Sequence, residues 1–156
     1  MGEILDKKEH ARIVSLLNEQ FGFSSLGDFI LIRSGKERLW LTNRDVLETD
    51  FSRMRVETIG LYFGTTEKDG IRLSIEGSQI VGKQASRNVI DIDEKQLFMW
   101  LRGFDLDIPC ESDYVLLRHK NDFVGCGKRK SGGILNFIPK DRRIKSLKEE
   151  GAIVPE

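Results

Sequence analysis

From about Val56 onward, the sequence alternates between short apolar stretches and glycines at nearly regular intervals. Stretches of this kind, bounded by turn residues, predict short β-strands. The predicted strands are Ile59 to Gly64, Ile71 to Ile75, Asn88 to Ile92, Asp113 to Arg118, Phe123 to Gly127 and Ile134 to Ile138. Many short strands with glycine turns and one or two helices favour a small mixed β-barrel.

One helix is predicted between these strands. Asp93 is expected to cap it, with Gln96 at the third helical position and Gly103 at its end. Leu97, Phe98, Trp100 and Leu101 recur at helical spacing and form its apolar side.

The first 55 residues have a different pattern of apolar residues and glycines, which predicts a small α/β unit. Asp6 to Glu9 has the pattern of a capping box and opens a helix over about residues 7–20, which Gly22 can end in the left-handed conformation. Two apolar runs, Phe29 to Arg33 and Arg38 to Leu41, predict a hairpin.

A short helix through Leu47 follows this hairpin, capped by the segment from Thr42 to Asp45. The composition changes near residues 50–57, which could be a connector. The chain is therefore predicted to be α+β, with an α/β domain over residues 1–55 and a mixed β pseudobarrel with one or two helices over residues 56–156.

Composition excludes several classes of protein. With 39% hydrophobic and 32% charged residues, the chain has the make-up of a soluble globular protein. It has no apolar run near the ~20 residues that cross a bilayer, and its charged N-terminus is unlike a secretory signal. The only cysteines and histidines are Cys110, Cys126, His10 and His119, too few for a recognisable zinc site. We expect a cytoplasmic protein with no membrane association, metal or cofactor.

The charges are unevenly distributed. Between Arg118 and Lys148 there are ten basic and two acidic residues, so this segment carries a net charge of +8 in a chain whose total is zero. A neutral protein with a strongly basic pole is typical of polyanion binding, and nucleic acid is the expected ligand.

Gly125 and Gly127 in this segment lie in a predicted strand, directly before the basic run of Lys128, Arg129 and Lys130. Two glycines leave the backbone bare, so that an RNA backbone could approach closely. The basic run would contact phosphates through charge. The structural alternatives are a β-bulge at the glycines and a solvated hairpin turn at the cations.

A second motif begins at Asn136 and continues through Pro139 to Lys140, Arg142 and Arg143. Proline fixes the chain direction, and an arginine can form a fork of hydrogen bonds with a phosphate or a guanine edge. A salt-bridged surface corner is the alternative. Phe137 alternates with Asn136 on the preceding strand and is expected in the core.

Enzyme interpretations find little support. The sequence has no GxSxG or HExxH motif and no convincing Ser/His/Asp set. Asp91, Asp93, Asp105 and Asp107 could pair as catalytic carboxylates, but Asp93 is already accounted for as a helix cap. We therefore predict no catalytic residues.

Several motifs in fixed order resemble the PUA-like RNA-binding tail of Sun/Fmu-type RNA 5-methylcytosine methyltransferases. The resemblance covers roughly residues 57–143, and its motifs are Gly60 to Gly64, Asn88 to Ile92, Leu97 to Gly103, Asp113 to Leu117, Val124 to Lys128 and Gly133 to Arg143. The chain is also similar to free-standing archaeal ribosome biogenesis factors of the Nop/Sun/Fmu family.

The resemblance implies a PUA-like pseudobarrel and a structured RNA ligand, rRNA or tRNA, in ribosome biogenesis, rRNA processing or RNA modification. About 57 residues are too few for the methyltransferase domain that precedes this tail in the family, so we expect a non-catalytic protein. Phosphate contacts from six cations predict a log–log salt slope of about −4 to −5.

The alternative is a protein–protein adaptor in ribosome assembly, whose acidic remainder docks assembly proteins or recruits a separate RNA methyltransferase.

Overall fold

The structure is a computed structural model that describes residues 2–47, 60–147 and 153–155. It has four helices and three sheets within these ranges. The helices are α1 (Lys7–Phe21), α2 (Arg44–Leu47), α3 (Ile75–Gly82) and α4 (Glu94–Leu101). The strands are β1 (Glu3–Ile4), β2 (Ile30–Ser34), β3 (Arg38–Thr42), β4 (Leu61–Glu67), β5 (Gly70–Leu73), β6 (Val89–Asp91), β7 (Tyr114–His119), β8 (Asp122–Lys130), β9 (Gly133–Leu135), β10 (Ile144–Leu147) and β11 (Ile153–Pro155).

The predicted first helix is confirmed as α1. The Asp6 carboxylate accepts a hydrogen bond from the backbone N–H of Glu9 at 2.8 Å, which satisfies one of the free donors of the first turn. Gly22 ends the helix with φ +76°. Ile13, Leu17 and Phe21 lie one turn apart and are buried, so α1 packs one face on the first core.

The first sheet has five antiparallel strands in the order β1-β2-β3-β4-β5. The predicted hairpin is its β2–β3 pair, and α2 follows where a short helix was predicted. The β3–β4 pairing joins strands from both sides of residue 55, Leu39 lying opposite Gly64. Residues 48–59, which include all of the predicted connector, lie outside the described residues. The division of the chain near residue 55 stays a prediction.

The second sheet has the order β6-β7-β8-β9. Strands β6 and β7 are parallel, with α4 between them, and the other pairs are antiparallel. Asp93 and Gln96 form the predicted capping box of α4, each side chain bonding the other residue's backbone N–H. One antiparallel sheet and one mixed sheet, together with the helices, confirm the predicted α+β class.

Helix α3 is the main difference from the predicted elements. The strand expected over residues 71–75 ends at Leu73, and Ser74 then caps a helix by accepting from the N–H of Gly77 at 2.8 Å. Two glycines inside this helix serve close packing. A Cβ at Gly77 would lie 2.1 Å from the carbonyl oxygen of Phe63, and one at Gly82 would lie 2.4 Å from the ring of Phe123.

Strand β7 joins the two hydrophobic cores. Tyr114 and Leu116 point into the first core, beside α1 and the first sheet, whereas Val115 and Leu117 point into the second, beside Trp100 of α4. A strand buried on both faces loses the apolar–polar alternation of a surface strand. The second sheet is thus fixed against the first, and its outer loops carry the predicted basic motifs.

Candidate nucleic-acid interface

Part of the basic segment is ion-paired in the folded chain. Four of its cations form ion pairs with carboxylates from outside the segment. The pairs are Arg118 with Asp91 (2.7 Å), Lys128 with Glu67 and Asp69 (both 3.4 Å), Arg129 with Asp113 (3.0 Å) and Arg142 with Glu76 (2.6 Å). The six cations expected to form the footprint therefore do not form one unopposed basic face, which corrects the electrostatic basis of that prediction.

Glu67 at the end of β4 is the centre of the most connected of these clusters. It accepts hydrogen bonds from the Tyr114 hydroxyl at 2.6 Å and from Arg72 Nε at 2.9 Å, and it faces Lys128. Burial alone would raise the pKa of Glu67, but these donors lower it on balance. Burial and the Glu67 carboxylate both raise the pKa of Tyr114. This cluster links the two sheets, so Lys128 has a structural role.

Arg142 forms a two-point ion pair across a small cleft. Its guanidinium donates to both carboxylate oxygens of Glu76, at 2.8 and 2.6 Å. The hydrogen bond from Arg142 lowers the pKa of Glu76. Phe137 also lines this cleft of about 60 Å³, and the guanidinium of Arg72 stacks 4.1 Å from its ring centroid. The predicted alternative, a salt-bridged surface corner, describes this pair.

The two glycines of β8 face the protein interior. A Cβ at Gly125 would lie 2.9 Å from Trp100 Nε1, and one at Gly127 would lie 2.2 Å from Ile134 Cγ2. Trp100 Nε1 also donates to the carbonyl of Val124 at 3.0 Å. The close approach that these glycines permit is made by the protein's own side chains, which corrects the physical reason predicted for them. Their contact with RNA stays a prediction.

Asn136 connects three parts of the chain. Its Nδ2 donates to the carbonyls of Trp100 at 2.7 Å and Phe104 at 2.9 Å, and its Oδ1 accepts from the N–H of Ile138 at 2.8 Å. These three hydrogen bonds order the end of α4 and the residues after β9. A role in RNA contact for Asn136 is untested and stays a prediction.

Arg143 lies against the end of α4. Its Nε donates to the carbonyl of Ile138 at 2.9 Å, and its guanidinium covers the bare backbone of Gly103. A Cβ at Gly103 would lie 2.5 Å from both Cδ and Nε of Arg143. The structure shows no hydrogen bond from its two terminal nitrogens to any described residue, so these donors can serve a ligand.

The remaining predicted cations are exposed. Lys130 lies at the turn between β8 and β9, and Lys140 lies in a single 3₁₀ turn (Lys140–Arg142). Neither forms an ion pair with a residue that the structure describes. Lys140, Arg142 and Arg143 are neighbours in the sequence, and Arg143 lies against the end of α4 whereas Arg142 pairs with Glu76 of α3. Lys130 lies on a separate turn.

Two cation–aromatic contacts near these residues were not predicted. They are Arg72 on Phe137 and Arg102 on Phe104, with the Arg102 Cζ 5.3 Å from the ring centroid. The order Leu101, Arg102, Gly103 was recognised as a motif, but nothing in it indicates that the next residue, Phe104, is exposed.

Residues 2–47, 60–147 and 153–155 contain no group of three or more His, Cys, Asp or Glu side chains arranged to hold a metal ion. Burial raises the pKa of the Cys110 thiol. Burial also raises the pKa of the Cys126 thiol, to about 12. Each helix within these ranges is too short or too polar to span a lipid bilayer.

Comparison with known proteins agrees with this geometry. Residues 87–144 match the family model described as "Methyltransferase RsmF PUA domain". This part of the chain is similar to the PUA domain of RsmF-type methyltransferases. The matched range begins just before β6 and ends at the first residue of β10, so it contains α4, strands β7 to β9 and the basic turn. The resemblance expected from the ordered motifs is confirmed.

The curated relatives are longer proteins. Two proteins of Vibrio cholerae serotype O1, from strains M66-2 and ATCC 39315 / El Tor Inaba N16961, are each named "Ribosomal RNA small subunit methyltransferase F". Each is 22% identical to this chain over 142 residues. The alignment covers 86% of this chain and 28% of each relative, and therefore extends well beyond the PUA-like domain.

Proposed function

We propose that this chain binds structured RNA, rRNA or tRNA, and acts in RNA modification as a recognition module without catalysing the reaction itself. The single observation that carries the proposal is the match of residues 87–144 to the PUA domain of an RNA methyltransferase. The relatives named as rRNA methyltransferases support the RNA ligand. The match is to the PUA domain, which supports a role in recognition.

The ion pairs narrow the surface that we assign to RNA. Before it contacts a phosphate, each of Lys128, Arg129 and Arg142 would have to break its ion pair with a carboxylate. The cost of breaking that pair cancels part of the binding free energy gained from the phosphate contact. Lys130, Lys140 and Arg143 need no such exchange. We therefore assign the phosphate contacts mainly to these three residues, with contacts to the sugar–phosphate backbone providing most of the affinity.

The test is a fluorescence-anisotropy titration of a labelled rRNA stem–loop. The variant replaces Lys130 and Lys140 with glutamine, and the matched control replaces Lys7 and Lys8, which are exposed on α1. Losing two phosphate contacts is expected to weaken binding roughly 30-fold at about 0.1 M salt. The control should bind like the unmodified chain. Equal losses in both variants, or no binding by the unmodified chain, would refute the proposal.

A second candidate function, the adaptor, is favoured by one face of the first sheet. Cross-strand pairing places Ile4 beside Ile32, Ile32 beside Trp40, and Trp40 beside Tyr62, in one row. The Trp40 and Tyr62 ring centroids are 5.4 Å apart, and Ile4 is 58% exposed.

We propose that this row docks an RNA methyltransferase domain. The test is binding of the Ile4→Glu variant to a purified rRNA methyltransferase by calorimetry. Binding by the unmodified chain that is lost in the variant would support the adaptor, and no binding by the unmodified chain would exclude it for that enzyme.

A further inference from the structure

Phe104 is an exposed aromatic side chain on a firmly held backbone. It directly follows the turn that ends α4, and 46% of its surface is exposed. Its backbone N–H donates to the carbonyl of Met99 at 3.0 Å, and its carbonyl accepts from Asn136 Nδ2 at 2.9 Å. An apolar side chain of this size normally contributes more to stability when it is buried. The exposed part of the Phe104 ring, held on an ordered backbone, is therefore available to a ligand.

One cation contacts this ring, and a second lies against the residue that precedes it. Arg102 lies over the ring, with Cζ 5.3 Å from the centroid. The guanidinium of Arg143 covers Gly103, the residue between Arg102 and Phe104, and keeps its two terminal nitrogens free of bonds to the described residues. Asp105, the residue after Phe104, carries an opposing charge. Its carboxylate accepts a hydrogen bond from the backbone N–H of Asn136 at 2.8 Å. That bond directs the carboxylate toward the chain's own backbone.

An aromatic face beside free guanidinium donors is the combination that binds an unpaired nucleotide. Bases stack on aromatic side chains regardless of sequence, and arginine forks onto the adjoining phosphate. In a fully paired helix the bases are already stacked on each other and cannot reach such a ring. Arg102 lies over the ring, Arg143 lies one residue away at Gly103, and Asn136 and Met99 hold the backbone of Phe104. Together these groups form one candidate site.

We propose that Phe104 stacks with an unpaired base of the bound RNA while Arg143 contacts its phosphate, so that the PUA-like domain prefers RNA with a single-stranded loop or end over a fully paired duplex. This inference rests on the proposed function and adds the class of RNA that the site selects. It assigns Phe104 and Arg102 to a binding surface that the sequence motifs did not include.

The experiment compares two RNAs, a blunt and fully paired duplex and the same duplex with a four-nucleotide 3′ tail that contains 2-aminopurine. The variant is Phe104→Leu, which keeps an apolar side chain and removes the ring. Phe29→Leu is the matched control, because Phe29 is 40% exposed at a site before β2, far along the chain. Phe104→Trp retains a ring and tests whether stacking is the property that matters.

Phe104→Leu is expected to bind the tailed RNA about tenfold more weakly, in line with the loss of one stacked base. Binding to the blunt RNA should be unchanged, Phe29→Leu should behave as the unmodified chain, and Phe104→Trp should keep tight binding. The 2-aminopurine fluorescence should be quenched by the unmodified chain, by Phe29→Leu and by Phe104→Trp, and should not be quenched by Phe104→Leu.

Tight binding of the tailed RNA by Phe104→Leu, with quenching retained, would overturn the stacking site and leave RNA binding intact. Failure of the unmodified chain to bind either RNA would overturn both proposals.

Discussion

Replacing Gly103 with alanine should destabilise the protein through a contact that the structure locates. Gly103 has φ +93°, a conformation that residues with a side chain rarely adopt. The added Cβ would lie 2.5 Å from Cδ and Nε of Arg143 and 2.8 Å from its Cζ. Carbon and nitrogen atoms do not approach so closely without a bond. The Arg143 side chain must therefore move, and its hydrogen bond to Ile138 is lost.

The magnitude has two parts. Placing alanine at this φ costs about 1–2 kcal/mol, and losing the hydrogen bond from Arg143 Nε to the Ile138 carbonyl costs about 1 kcal/mol. Gly103→Ala should therefore lower the free energy of unfolding by about 2–3 kcal/mol. In an Arg143→Ala background the clash disappears, and only the backbone cost of about 1–2 kcal/mol should remain.

Urea unfolding of the four proteins of this double-mutant cycle measures the coupling. We expect a coupling energy of about 1 kcal/mol between Gly103 and Arg143. Gly132→Ala is the matched control, because Gly132 has φ +86° but open space around its Cβ. It should cost about the same backbone strain and show no coupling to Arg143. Additive effects of Gly103→Ala and Arg143→Ala would refute the contact.

Three further predictions concern the ion pairs and Asn136. Glu67→Gln should lower the free energy of unfolding by about 2 kcal/mol, because its charge-assisted hydrogen bonds weaken. The control Asp69→Asn, at a half-exposed carboxylate, should change this free energy by under about 0.5 kcal/mol. Equal effects of the two substitutions in urea unfolding would contradict the assigned roles. Because the pKa values of Glu67 and Glu76 lie below the usual 4.5, their stabilisation is present above that pH and lost as the pH falls through the lowered values. In a variant with glutamine at both positions, the free energy of unfolding should fall less steeply as the pH is lowered. An unchanged dependence of this free energy on pH would contradict the role of the two carboxylates. Asn136→Ala should lower the free energy of unfolding by about 2–3 kcal/mol, since three hydrogen bonds are lost; a stability change under about 0.5 kcal/mol would show that the side chain does not order the loop.

Local signals in the sequence predicted the elements whose ends are set by a few neighbouring residues. The caps of α1 and α4 are examples, since Asp6 and Asp93 each bond a backbone N–H three residues on. Helix α3 was not predicted, and its two glycines, Gly77 and Gly82, are unfavourable inside a helix. Their actual role is close packing on Phe63 and Phe123, which depends on residues that the sequence cannot place beside them.

The candidate site was predictable in composition but not in charge balance. The basic residues were evident in the sequence, and Lys140, Arg142 and Arg143 are close together because they fall within four consecutive residues. The carboxylates that oppose Lys128 and Arg142 come from Glu67 and Glu76, more than 60 positions away in the chain. Only the pairing of the two sheets brings them together. Exposure of Phe104 likewise follows from the path of the chain after α4.

The salt dependence of RNA binding tests the central claim most directly, namely that the few unpaired cations of the PUA-like domain hold the RNA while the paired ones keep their carboxylates. The measurement is the affinity of the unmodified chain for a tailed rRNA stem–loop across a series of salt concentrations. Three phosphate contacts, from Lys130, Lys140 and Arg143, predict a log–log slope of about −2 to −3. A slope near zero would contradict phosphate recognition, and a slope near −5 would show that the ion pairs open and that the account of the charged surface is wrong.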